Sequence, residues 1–254
     1  MARYYNSFKI LIILHKINNK NNYICSIIWL GDNMSKYYAA YDKRYKQVHN
    51  KGLAWSTNSN TKIVEEIIIK YNLDREKMLE IGCGEGRDAK YLLNKNYNIL
   101  ATDISQEAIN YCKKNDTIHK NNYKVLDVLS DNSKDKYGFI YSVACLHMLV
   151  LDEDRNKYYK YIYNHLEDNG YSLILTMGDG IKESASDINK AFDNIKRTHQ
   201  ETSQEIEVAT TSCRIVSFDT LFKEVSNKFK IIEYGITEIE EEFDKIMYIL
   251  IKKL

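Results

Sequence analysis

Proline is missing from all 254 residues, where ordinary usage of about 5% would place roughly a dozen. The gap accompanies abundant Asn, Lys, Ile and Tyr, the bias of an AT-rich coding sequence, because proline codons are GC-rich. Its chemical consequence is that no active-site motif requiring proline is present. An excess of either charge is missing too: 36 basic and 35 acidic side chains leave +1. No overall field draws a polyanion, which disfavours nucleic acid as a partner. The five cysteines, Cys25, Cys83, Cys112, Cys145 and Cys213, contain no C-x-x-C pair, and an odd number cannot all pair within one chain. A reducing cytoplasm fits that usage; a structural zinc site does not, and no metal is expected.

Long apolar runs are also lacking. The two in the opening segment, Ile10–Leu14 and Ile27–Leu30, fall far short of the roughly 18 residues needed to span a bilayer. No small-residue cleavage site follows either of them, so a secretory signal is not expected and a membrane is not a partner. Residues 1–33 read as a doubtful extension: an extra helix, a loosely attached tail, or translated leader ahead of a true start at Met34. The last reading rests on Leu30-Gly31-Asp32-Asn33, encodable by TTA GGA GAT AAT, which contains an AGGAG ribosome-binding sequence before an ATG. The domain proper is then 34–254.

What is present is an ordinary globular composition, 44% hydrophobic, enough to bury a sizeable core within one domain. A Tyr-rich helix is expected over Ser35–Lys51, ended by Gly52, followed by a polar loop around Trp55. Thr61–Tyr71 puts Ile63, Ile67 and Ile68 on one helical face, with Asn60 as its expected N-cap. Strands at Lys77–Ile81, Asn98–Thr102, Tyr123–Leu126, Phe139–Val143 and Tyr171–Thr176 alternate with helices through Leu93, from near Ser105, and over Asp154–Leu166. That alternation predicts βαβ units and a parallel sheet. Lys230–Tyr234 and Lys245–Ile251 depart from it. Only the acidic Glu238–Asp244 separates them, too short for a parallel crossover, so the last strand should run antiparallel to its neighbour.

The most informative segment is Leu79-Glu80-Ile81-Gly82-Cys83-Gly84-Glu85-Gly86-Arg87-Asp88-Ala89, which leaves a buried strand and enters a helix. Glycines let the chain turn tightly and let a ligand approach the backbone. The following helix N-terminus offers free N–H groups and positive potential to a carboxylate or phosphate. The dinucleotide fingerprint G-x-G-x-x-G/A needs a third small residue for helix–strand packing. Counting from Gly82, that place holds Arg87, which argues against NAD or FAD.

This segment resembles the first motif of the class I S-adenosylmethionine-dependent methyltransferases, an acidic residue followed by G-x-G-x-G. Glu80, Gly82, Gly84 and Gly86 match it one for one, with Cys83 inside it. The stretch GRDAKYLLNKNYNILATDIS, with Tyr41-Asp42-Lys43-Arg44-Tyr45 and Trp55 ahead of it, is similar to the tellurite-resistance and thiopurine methyltransferase branch. The resemblance implies a three-layer αβα Rossmann-like fold, with a seven-stranded mixed sheet of order 3-2-1-4-5-7-6 whose strand 7 is antiparallel. It also implies S-adenosyl-L-methionine as cofactor. Glu80 and the glycine turn would hold its methionine part. Asp103, at the end of the second strand, would take the ribose hydroxyls; the competing reading is that Asp103 or Ser105 simply caps the next helix. Asp127 would face the adenine amine, with Val128 and Ile104 on either side of the adenosine and Ala144 completing the set.

Substrate should sit beyond the carboxyl ends of the strands, where the fourth delivers Val143-Ala144-Cys145-Leu146-His147-Met148. His147, with a reference pKa near neutrality, is the candidate general base, against a packing role. Cys145 as a nucleophile is weaker, since small buried cysteines are common in cores. Tyr38, Tyr41 and Trp55 are candidates to close over the sulfonium, against a Tyr stripe packed on the domain. Arg214 is a candidate for an acidic substrate group, against a surface ion pair, and Met177–Gly180 for the rim. Methyltransferases acting on exocyclic base amines use an Asn/Asp-Pro-Pro-aromatic motif, which a chain without proline cannot have. The expected function is methyl transfer to a small molecule. An RNA or protein methyltransferase and a non-catalytic cofactor-binding module are the competing readings, and the oligomeric state stays open.

Overall fold

The computed structural model describes residues 10–17, 22–29, 36–56, 59–199, 202–238 and 246–253, the first two of these as backbone only. The chain divides into two compact units, Met1–Lys36 and Tyr37–Leu254. In the first, Ile10–Ile17 and Asn22–Trp29 pair antiparallel, Ile10 opposite Trp29 and Ile17 opposite Asn22. Two paired strands stand where an extra helix was one of the readings expected. The isoleucine-rich runs carry β-branched side chains that favour strands.

The second unit is built on seven strands: β1 Met78–Ile81, β2 Ile99–Asp103, β3 Tyr123–Val125, β4 Tyr137–Val143, β5 Leu166–Met177, β6 Phe229–Thr237 and β7 Ile246–Lys253. Their order is β3-β2-β1-β4-β5-β7-β6, the order expected from the resemblance. The strands from β3 to β5 run parallel. β7 is antiparallel to both neighbours, Ile246 lying opposite Met177 and Thr237. All four residues of β1 are buried, as a central parallel strand covered on both faces requires.

Among the described residues six α-helices accompany the sheet: α1 Ala40–His49, α2 Lys62–Lys70, α3 Arg87–Asn94, α4 Gln106–Asn115, α5 Asp152–His165 and α6 Phe218–Val225. Ile63, Ile67 and Ile68 of α2, Leu92 of α3 and Ile109 of α4 pack with Met78 and Phe139 on one face of the sheet. Tyr158 and Ile162 of α5 and Leu221 of α6 pack with Leu79 and Ile140 on the other. Adjacent residues of β1, Met78 and Leu79, thus enter opposite layers, the period-2 alternation of a strand.

The start of α2 differs from expectation. Thr61, not Asn60, precedes its first turn, and both its N–H and its hydroxyl donate to Asp88 (2.6 and 2.9 Å). The cap is thereby tied to the first turn of α3. Between β5 and β6 lie elements that the strand–helix pattern did not reveal: α6, whose N-cap Ser217 accepts from the Thr220 N–H, and an antiparallel ribbon of Asn194–Thr198 with Glu205–Ala209. Ser184–Ala185 also pairs with Arg214–Ile215. α1 lies on the longer ribbon, with Val48 packed against Ile206 and Val208. Of the acidic Glu238–Asp244 segment, all but Glu238 lies outside the described residues.

Candidate active site

At the carboxyl edge of the parallel strands a cavity of about 300 Å³ runs from the glycine turn to the underside of α1. Gly82, Gly84 and Gly86 all have positive φ, 75°, 54° and 80°, the left-handed region that L side chains avoid. A Cβ on Gly82 would come within 2.7 Å of the Cys145 sulfur, and one on Gly84 within 2.7 Å of the Tyr45 hydroxyl. Gly82, Cys83 and Gly84 line the cavity. Gly86 does not; it is the N-cap of α3, set against Cys112 and Tyr123, and so shapes the turn without facing the cavity.

Five acidic residues line the cavity, among them Asp103, Glu80 and Asp127. Asp103 accepts from the Gly84 N–H through Oδ2 (2.9 Å) and from the Ser105 N–H through Oδ1 (2.8 Å). Capping of α4 belongs to Ser105, whose hydroxyl accepts from the Ala108 N–H, which leaves Asp103 facing the cavity. Burial raises the pKa of Asp103, and the two N–H donors oppose the rise. Glu80 is 2% exposed. Burial, then the nearby Asp88 charge, pushes its carboxyl up to about 8 against the Tyr141 hydroxyl bond and the Arg87 charge. Asp127 accepts from the Leu129 N–H and the Ser130 hydroxyl, both at 3.0 Å. Ile104, Val128 and Ala144 line the same cavity.

The residues present fit S-adenosylmethionine. Its cationic and hydroxyl-rich parts match a set of carboxylates, and two glycines stand where any side chain would collide with the cavity wall.

Sequence reasoning missed how this cavity is closed. Glu85, the variable residue inside the glycine motif, accepts from the Trp55 N–H (2.8 Å), the Ser56 N–H and the Ser56 hydroxyl (both 2.7 Å). It also meets His49 Nε2 at 2.8 Å, while His49 Nδ1 meets Glu107 at 2.7 Å. The His49 ring stacks on Tyr111, 4.5 Å between centroids. Burial disfavours its charged form, but the bonds to Glu85 and Glu107 outweigh this and raise its pKa. Asp42 of α1 adds a further bridge, accepting from the Ser105 hydroxyl and the Glu107 N–H. An acidic residue in the motif was the available signal, but its partners lie some 30 residues upstream.

Part of the lining is aromatic. Tyr38, Tyr41 and Trp55 form it with Met148, Leu149 and Tyr158. His147 stands on a single 3-10 turn, Leu146–Met148, after β4. The carbonyls of Leu146 and Leu149 accept from Arg155 Nη1 (3.2 and 3.4 Å), and that arginine is paired with Glu224 at 2.7 Å. The near-neutral titration expected for His147 does not survive: burial, then the charges of Arg155 and Arg44, push it down to about 4. It is a neutral imidazole at physiological pH and a poor proton acceptor. Burial pushes the Cys145 thiol up to about 12, unsuited to a nucleophile. Arg214 does not join the cavity; its Nη1 donates to the Val150 carbonyl (2.8 Å) and meets Asp152 at 2.5 Å, the surface pairing weighed against its substrate role. Of Met177–Gly180 only Met177 reaches the lining.

Among the described residues no helix is long and apolar enough to cross a membrane. Residues 79–172 match the methyltransferase domain family. Juvenile hormone acid O-methyltransferase of Bombyx mori is 30% identical over 117 residues, 43% of this chain and 41% of that protein. A probable S-adenosyl-L-methionine-dependent methyltransferase, TehB of Haemophilus influenzae, is 30% identical over 103 residues, 39% of this chain and 35% of that protein. The chain thus spans less than half the length of these curated relatives. In fold it is similar to the Burkholderia thailandensis 1,6-didemethyltoxoflavin-N1-methyltransferase, solved with 1,6-didemethyltoxoflavin and S-adenosylhomocysteine, at 12% identity over 98% of both chains and a TM-score of 0.63. The motif, the sheet order and these matches converge on a methyltransferase domain over residues 79–172, similar in motif and fold to the S-adenosylmethionine-dependent class.

Proposed function

We propose that the protein is an active, cytoplasmic methyltransferase that moves a methyl group from S-adenosylmethionine to a small-molecule acceptor. The observation that carries this reading is the single cavity joining an acid-lined glycine turn to an aromatic wall. At about 300 Å³ it is of the size that small-molecule sites occupy. α1 and the Trp55 loop cover it through Glu85 and Asp42, so an acceptor has to be small enough to lie beneath them. Two relatives point the same way, since their names specify small-molecule acceptors, a hormone acid and a toxoflavin precursor. The balanced charge favours this over an RNA or protein acceptor, and the free thiols of Cys83, Cys112, Cys145 and Cys213 suit a reducing compartment.

In this reading Glu80 and the backbone of Gly82–Gly84 hold the methionine part and Asp103 the ribose hydroxyls. Asp127 serves the adenine amine, between Ile104 and Val128. When bound, the cofactor supplies a methyl group already activated on a sulfonium centre. The chain has then to orient the acceptor and exclude water, which covers much of the catalytic need. Tyr38, Tyr41 and Trp55 do both.

Calorimetry should find S-adenosylmethionine binding in the micromolar range, about −8 kcal/mol. Asp103→Ala should cost about 1–3 kcal/mol, roughly five- to 150-fold, for a lost charge-assisted bond. A methyl-transfer screen over thiols, phenols, amines, carboxylates and metalloid oxyanions then separates the readings. Undetectable binding, or tighter binding of NAD, overturns the cofactor. Labelled RNA or protein as sole product reverses the acceptor class. Binding without turnover on any acceptor marks a non-catalytic module.

A further inference from the structure

Behind the Tyr41 and Trp55 rings of the cavity lies a buried cation, Arg44, which does not itself line the cavity. Arg44 is 3% exposed, yet its partners are two carbonyls and a phenol. Nε and Nη2 donate to the Ala209 carbonyl (3.0 and 2.6 Å), Nη2 also to the Thr210 carbonyl (2.8 Å), and Nη1 to the Tyr41 oxygen (3.2 Å). No carboxylate pairs with it among the described residues, and Arg197 adds a second positive charge nearby. Its guanidinium stands 4.7 Å from the Tyr41 ring centroid and 4.6 Å from that of Trp55, and both rings line the cavity. Because the Tyr41 oxygen accepts from Arg44, its own proton is left to donate elsewhere. A second polar atom waits on this side: His147 Nδ1 is buried with no hydrogen-bond partner among the described residues. The Arg44 donors are satisfied but its charge has no counter-ion, which favours negative charge nearby, and a buried imidazole nitrogen without a partner is unfavourable unless a ligand completes it. The acidic residues of the cavity, Glu80, Glu85, Asp88, Asp103 and Asp127, belong to the glycine turn, the start of α3 and the ends of β2 and β3.

We propose that the methyl acceptor is a carboxylate on an apolar or aromatic body, its oxygens accepting from His147 and from Tyr41, whose hydroxyl is held and polarised by the Arg44 behind it. This rests on the methyl-transfer reading above and narrows its acceptor. Tyr38, Trp55, Met148, Leu149 and Met177 give the body an aromatic and thioether surround, which a compact inorganic oxyanion would leave unfilled. The step balances without a base. A carboxylate oxygen forms the O–CH₃ bond with its own lone pair, the carbon–sulfur bond of the donor breaks, and that pair stays on sulfur. Anion and sulfonium yield neutral ester and neutral thioether, with no proton to remove. The neutral state of His147 agrees: between Arg155 and Arg44 it is suited to donate a hydrogen bond and unsuited to store a proton.

The test is calorimetry on the full chain saturated with S-adenosylhomocysteine, titrated with phenylacetate and hexanoate and with the amide of each. The acids should bind at least tenfold more tightly than their amides at pH 7.5. Arg44→Gln should erase that preference, Arg44→Lys should retain part of it, and affinity for S-adenosylhomocysteine should stay within about twofold in both. His147→Gln, which keeps a donor, should weaken the acids less than His147→Phe. Where an Arg44 variant fails to fold, the acid–amide ratio of the unaltered protein remains decisive. Equal or weaker binding of the acids, no acid binding at all, or turnover confined to thiols, phenols or amines overturns the carboxylate assignment and leaves methyl transfer standing. Failure to bind S-adenosylhomocysteine removes the broader reading instead.

Discussion

Two parts of the cavity are made by different means. The part proposed to hold the cofactor comes from short, consecutive segments at the ends of β1, β2 and β3, with backbone N–H groups and carboxylates fixed on one another, as Gly84 is on Asp103. The part proposed to take the acceptor is assembled from α1, the Trp55 loop and the turn after β4, and leans on Ala209 and Thr210 through one arginine, 165 and 166 residues away in sequence. The first is acidic and set by the sheet. The second is aromatic, and set by side-chain bridges. A ligand common to many acceptors suits a rigid, strand-anchored half, while acceptor specificity can change with the bridged half and leave the core untouched.

The contrast breaks most directly at Gly82. A side chain there meets an unfavourable φ of 75° and the Cys145 sulfur at 2.7 Å. Left-handed strain of about 1–2 kcal/mol and overpacking of about 1–3 kcal/mol add at one site. Gly82→Val should therefore weaken S-adenosylmethionine by about 100-fold or more in calorimetry. Binding within fivefold of the unaltered protein would show that the glycine turn is not the rigid half.

The same contrast explains what could be read from sequence alone. Glu80, the glycines, Asp103 and Asp127 were legible as candidates because each lies at or just past the end of a strand, and the antiparallel β7 followed from the short gap before it. Arg44, His49 and Glu85 were not, because their roles depend on which distant backbone they meet. Arg44 reads as one more charge on a polar helix until Ala209 and Thr210 are placed against it. α6 and the 194–209 ribbon were hidden in a stretch without strand–helix alternation. Arg214 illustrates the converse: an arginine near an expected rim, paired instead with Asp152.

Glu80 supplies a pH test of the acidic part. Its carboxyl, ordinarily at 4.5, is pushed up to about 8 by burial and Asp88, so it is largely protonated at pH 7 in the empty protein. A cationic ligand favours the carboxylate, so binding should release a proton, and affinity should climb with pH up to about 8 and then level off. Glu80→Gln should flatten that profile and bind roughly tenfold more weakly above pH 8, about 1.4 kcal/mol. Stability should move the opposite way. The folded state holds an extra proton between 4.5 and about 8, so the empty protein loses stability as pH rises across that window, and the glutamine variant escapes this loss. Calorimetry in buffers of different ionisation enthalpy counts the proton; an unchanged affinity profile in the variant would remove Glu80 from the cofactor site.

The smallest effect should come from His49, which joins the two halves by bridging Glu85 and Glu107. Its folded pKa is raised above 6.5, so the stabilisation is complete below pH 6.5 and disappears as pH climbs through the raised value. The ring is partly exposed and screened, which limits the pair to about 1 kcal/mol, or 2–4 °C in a domain of this size. Glu85 still holds Trp55 and Ser56 without it, so the loop should stay docked in His49→Gln. Thermal melts of that variant should show the deficit at pH 6, little of it at pH 9, and less in high salt at either pH. Cofactor affinity should change by less than about threefold, because no atom of His49 lines the cavity. A loss of 10 °C or more, or loss of cofactor binding, would mean that α1 is part of the core and not a cover docked on it. The division between a sheet-built half and a bridge-built half would then fail.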